Sequence, residues 1–157
     1  MEYTSGMIGR AFFVRFDHGD DIVSGLEAIS KKENLSLATV NILGAIEKAD
    51  LVCGPKKPLG PPDPNLVKFD DGREVLGFGT ITSYKGKTRV HLHGSFGNKE
   101  SALTGCLRKG NQTYITMEAV ITEITGISLT RKLDKWSGID LVFFDPPSRE
   151  IGENDNR

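Results

Sequence analysis

The chain has 157 residues, 38% of them hydrophobic, with 20 Lys plus Arg against 21 Asp plus Glu and a formal charge of -1. That length bounds one domain with a core of its own, and the balanced charge excludes an overall basic surplus of the kind that releases counterions from duplex DNA. Two cysteines, Cys53 and Cys106, are too few for a disulfide framework, and no apolar run of eighteen residues or export signal is present, so the expected compartment is the cytoplasm, with no membrane partner.

In chain order, "RAFFVRF" (Arg10 to Phe16) is rich in aromatic and β-branched residues and breaks at "DHGDD", which predicts a strand ending in a turn. A helix is expected from Asp20 to about Glu33: Ile22, Leu26 and Ile29 recur at helical spacing, Asp20 and Asp21 suit its start, and Lys31 and Lys32 suit its end. "LATVNILGAI" (Leu37 to Ile46) and "ADLVCG" (Ala49 to Gly54) read as two strands joined by a tight connection at Glu47 and Lys48. Five of the seven prolines then fall between Gly54 and Asn65, where fixed φ angles and missing N–H donors predict a long surface loop.

"REVLGFGTIT" (Arg73 to Thr82) and "RVHLHGSFG" flank "YKGKT" as a hairpin with lysines at its tip. Gly77 and Gly79 lack the third glycine and the helix of a dinucleotide fingerprint, and in a strand they mark close approach of another backbone. Asn98 to Lys109 reads as a glycine-punctuated connection with room for a helical turn. "TYITMEAVITEI" alternates Ile115, Met117, Ala119 and Ile121 on one face with Tyr114, Thr116, Glu118 and Thr122 on the other, a long strand with one buried side. "SLTRKL" and "IDLVFF" suit short strands. The expected organisation is an extension over 1–9, one domain over 10–145 and a disordered polar tail over 146–157. Many strands with one clear helix predict an α+β fold with a largely antiparallel sheet. Asn34 and Asn111 head glycosylation triplets, which have no consequence without export.

His91 and His93 stand two apart in the hairpin's second strand, so they share one face with Ser95 while Val90, Leu92, Gly94 and Phe96 take the other. At strand rise the pair is about 7 Å apart at Cα, close enough for both rings to reach one cation. Solvent would satisfy them equally well. A zinc-type site needs a third protein ligand, for which His18, Cys106 and several carboxylates compete. Cys106 in "TGCLRKG" directly follows the histidine strand, and His2Cys would leave the fourth position open for water or substrate.

The order of "VRFDHGDDIVSGL", "LGAIEKADLVCG", "REVLGFGTIT", "HLHGSFG" and "RKLDKWSGIDL" resembles the plant-and-prokaryote-conserved (PPC) domain family over about Arg10 to Phe144. The resemblance implies a curved, mostly antiparallel sheet with one main helix, assembled as a homotrimer. It further implies a metal site in which His91 and His93 match the first two ligand positions. Cys106 falls where relatives carry a histidine, and Thr104 where they carry the first glycine of a Gly-Gly pair. A thiolate there favours zinc or another soft divalent transition metal.

Two function classes follow. One is a trimeric metal- or small-molecule-binding protein, with enzymatic activity left open, Glu74 or Glu118 as candidate bases, and Gly77, Gly79 and Arg15 as candidate cleft residues. The other is a DNA-associated or regulatory protein, for which basic pairs at Lys56-Lys57, Arg108-Lys109 and Arg131-Lys132 offer local charge but no Arg-Gly-Arg-Pro hook is present.

Overall fold

The computed structural model describes residues 2–145 and 149–150. The order is β1 (Glu2–Tyr3), β2 (Met7–Asp17), α1 (Ile22–Lys32), β3 (Leu37–Pro55), β4 (Pro64–Phe69), β5 (Arg73–Tyr84), β6 (Lys87–Asn98), β7 (Ser101–Leu107), β8 (Gln112–Thr125), β9 (Leu129–Leu133), β10 (Asp140–Phe144) and β11 (Arg149–Glu150). An antiparallel sheet in the order β2-β8-β3-β5-β6-β7 carries the fold, with β4 also paired to β3. The α+β reading with one helix and a mostly antiparallel sheet is the fold observed. β11 pairs with β1; the rest of the tail expected to be disordered lies outside the described residues.

α1 begins where the acidic turn caps it. Asp21 Oδ1 accepts the Ser24 N–H at 2.8 Å, its Oδ2 accepts the Gly110 N–H at 2.6 Å, and buried Asn111 Oδ1 accepts the Ile22 N–H at 3.0 Å. Ile22, Val23 and Leu26 face inward and join Val40, Ile42, Ile81, Leu92, Phe96, Met117 and Ile121 in the core. Asn111, which heads one of the two glycosylation triplets, is therefore a buried capping group.

The two strands read around Glu47 and Lys48 are one. β3 runs unbroken, pairing with β5 and β8 over its first half and with β4 and β7 over its second. Its change of direction is absorbed by register shifts at Gly44/Ala45 and Ile46/Lys48 rather than by a turn. Gly44 has φ +142°, and a Cβ there would sit 2.6 Å from the Thr116 carbonyl oxygen. Because β3 bends, β7 reaches it through Leu51↔Leu107 and Val52↔Cys106, and β3-β5-β6-β7 closes into a ring.

Three further expectations are corrected. Asn98 to Lys109 is mostly strand, β7, entered through a turn in which Lys99 takes φ +54°. Part of the proline-rich segment pairs as β4, whose alternation was hidden by the prolines before it. Met117, Ala119 and Ile121 are buried, but Ile115 is 66% exposed with φ +57°. Gly44 pairs with Met117 and Ala45 with Tyr114, so Ile115 and Thr116 bulge out of the ladder with β3 and the alternation breaks there.

Candidate metal centre

β6 turns Leu92 and Phe96 into the core, which leaves Arg89, His91, His93 and Ser95 on the outer face. The His91 and His93 rings meet edge to face with centroids 4.8 Å apart, and their Nε2 atoms are 3.0 Å apart. β7 brings the third donor. His93 pairs with Cys106, and because paired residues share a face, the thiol comes to the same side as the imidazole. One donor atom from each of His91, His93 and Cys106 lies within 4.8 Å of the others.

That spacing suits a tetrahedral ion. Zn–N near 2.0 Å and Zn–S near 2.3 Å put donor atoms roughly 3.3–3.6 Å apart, so ring and thiol rotations on the order of 1 Å close the set. Both histidines are exposed while Cys106 is buried, so the three donors would hold an ion on the solvent-facing side of the thiol. Burial, with help from His93, Arg108 and Arg131, lowers the His91 pKa and so favours the neutral imidazole that a metal would require. Burial raises the Cys106 thiol, opposed by Arg108 and by a hydrogen bond with the Leu92 backbone. The donor set, two borderline nitrogens and one soft sulfur, fits zinc-class ions better than hard ones.

The other candidates are elsewhere. His18 lies 3.9 Å from Glu47 and edge-on to Tyr114. Glu74 lines a separate concavity with Glu47, Asp71 and Arg73. Glu118 is on β8, three strands from β6 and so about 14 Å away at sheet spacing. Arg15 pairs with Asp17 on β2, with β8 and β3 between it and Gly77 and Gly79. Those glycines do mark a close approach: a Cβ on Gly79 would lie 2.5 Å from the His91 carbonyl oxygen, and one on Gly77 3.0 Å from that of His93.

One neighbour of the centre was not legible. Arg131, on β9, donates from Nη2 and Nε to Thr82 Oγ1 at 2.8 and 3.3 Å and from Nη1 to the Asp140 carbonyl at 2.9 Å. In sequence it is one of several basic pairs, 40 residues from His91, and nothing in that spacing signals the contact.

A cross-strand row ties the centre to the rest of the outer face. Phe13, Val120, Asn41, Phe78, His93 and Cys106 succeed one another across β2, β8, β3, β5, β6 and β7.

The family model of the Plants and Prokaryotes Conserved (PCC) domain matches residues 3–125. The chain belongs to this family. Solved structures share the PCC-domain fold. A metal-containing protein from Archaeoglobus fulgidus superposes with a TM-score of 0.79 at 19% identity, covering 90% of this chain and 98% of its own. A plant- and prokaryote-conserved protein from Pyrococcus horikoshii gives 0.70 at 23% identity, over 90% and 100%. A candidate DNA-binding protein from Bacteroides thetaiotaomicron gives 0.73 at 20%, over 89% and 98%. No curated protein matches the sequence. At these identities the likeness to the solved structures is one of fold, and the case for a metal centre rests on this chain's own residues.

Proposed function

We propose that this PCC-domain protein binds a zinc-class divalent ion through His91, His93 and Cys106 and offers the open coordination position to a small molecule, as a homotrimer. The observation that carries the reading is the convergence of the three donors from two paired strands. The metal-containing relative from Archaeoglobus fulgidus supports it. Polarisation of a ligand oxygen is the chemistry such an ion supplies when bound. This chain's own residues hold and orient it: the β6 alternation fixes both imidazoles, and the β7 pairing fixes the thiol.

Self-association is supported by the apolar side of the sheet. Phe13, Leu43, Leu76 and Phe78 are 70%, 54%, 71% and 55% exposed and neighbour one another on one face, a patch of the kind that marks an interface. The DNA-associated reading, which the name of the Bacteroides relative favours, has less behind it here. Lys56, Lys68, Lys109, Arg15 and Arg89 are each paired with a carboxylate, which reduces the charge free to displace phosphate counterions.

Elemental analysis of protein purified without an affinity tag tests the metal reading. About one ion per chain is expected, with the ion lost in His91→Ala and reduced in Cys106→Ser. Protein from zinc-replete growth that carries no ion would sink it.

A further inference from the structure

We propose that the open side of the centre binds an oxyanion, a carboxylate or phosphate-type group, seated between the cation and the guanidinium groups of Arg131 and Arg108. The proposal rests on the metal reading above. It starts from a charge imbalance. Two neutral imidazoles and one thiolate leave a divalent ion under-neutralised, and the side chains that border it add positive charge rather than removing it.

Arg131 is half-buried, yet its N–H groups meet only the Thr82 hydroxyl and a backbone carbonyl. The nearby carboxylate of Asp140 goes instead to Arg89, at 3.0 Å. Thr82 pairs with Arg89 and Thr80 with His91, so Arg131 is anchored one step along the same face from the first metal donor.

Arg108 approaches from the opposite strand. It follows Cys106 by two residues, and its backbone is fixed by the Asp50 carbonyl, which its N–H meets at 3.0 Å, and by Asn111 Nδ2, which donates to its carbonyl at 3.0 Å. Its side chain is exposed and makes no ion pair among the described residues, and because its N–H continues the β7–β3 ladder at Asp50, strand alternation turns it to the same side as Cys106. Water in the fourth position would leave Arg108 without an ion pair and Arg131 with only a share of the Asp140 carboxylate, which is bound to Arg89. An oxyanion satisfies both and the ion, and the planar guanidinium fork matches the geometry of carboxylate and phosphate oxygens. Arg131 lies beyond residues 3–125, so part of this pocket comes from the hairpin that follows the matched domain.

The test uses cobalt(II)-loaded protein, whose visible spectrum reports on anions entering the coordination sphere, titrated separately with acetate, inorganic phosphate and chloride. A saturable change with acetate or phosphate is expected, identifying a carboxylate or a phosphate site according to which binds more tightly. Arg108→Gln and Arg131→Gln should each weaken it about tenfold or more while cobalt content stays at the wild-type level. If Arg131→Gln disturbs the hairpin and loses cobalt, the exposed Arg108→Gln decides. No response to either oxyanion, equal response to chloride, or unchanged affinity in Arg108→Gln overturns the oxyanion pocket while leaving the metal reading intact. Protein that takes up no cobalt or zinc overturns both.

Discussion

Cys106 lives under opposing demands. Burial holds its thiol protonated, while coordination requires the thiolate. His91 has the reverse bias, since burial and two guanidinium groups favour the neutral ring that a metal needs. Uptake of a divalent ion near neutral pH should therefore release about one proton per ion, from Cys106, and almost none in Cys106→Ser. Zinc titration in weakly buffered indicator solution reads this directly, and wild-type uptake without proton release would exclude the thiolate. The histidines were legible as a pair because period-2 alternation is a property of any strand, whatever surrounds it. Cys106 was legible as the donor that follows in sequence and through the family resemblance, and Arg131 not at all, because its place depends on how a later hairpin lies against β5.

At the scale of elements, the expectations that the structure overturns share a cause: a segment's partners decided its shape more than its composition did. Glu47 and Lys48 look like a turn, but β8 pairs on either side of Glu47 and β4 takes over at Ala49, so β3 runs through them as a bulged strand. "SALTGCL" is too short and glycine-marked to announce β7, which exists because β6 and β3 flank it. α1, by contrast, carries its own cap and its own apolar stripe and was legible in full. Its start also depends on Asn111, buried at 2% exposure, which accepts from Ile22 and donates to the Arg108 carbonyl. Asn111→Ala strands both groups and should cost about 1–3 kcal/mol, seen as a lower urea midpoint with unchanged slope. An unchanged midpoint would show that water replaces the side chain without loss.

For the whole molecule, the α+β class followed from counting strand patterns against a single helix, but the closed ring did not, because it needs Leu51 to meet Leu107 across the chain. Assembly is the corresponding open question of scale, and Leu76→Glu addresses it. The change places a charge in the centre of the exposed apolar face, away from the core, and should reduce the mass found by light scattering to that of one chain while stability moves by no more than about 0.5 kcal/mol. A wild-type protein that is already monomeric, or a variant whose mass is unchanged, would remove this face as the interface. The ring has one more effect. Without the contact with β3, β7 would be a bare edge strand, offering its unpaired amides and carbonyls to any other extended chain. Two residue pairs cover its C-terminal end, and Cys106 belongs to one of them. The residue proposed as the sulfur ligand thus also helps guard the protein against strand-to-strand aggregation.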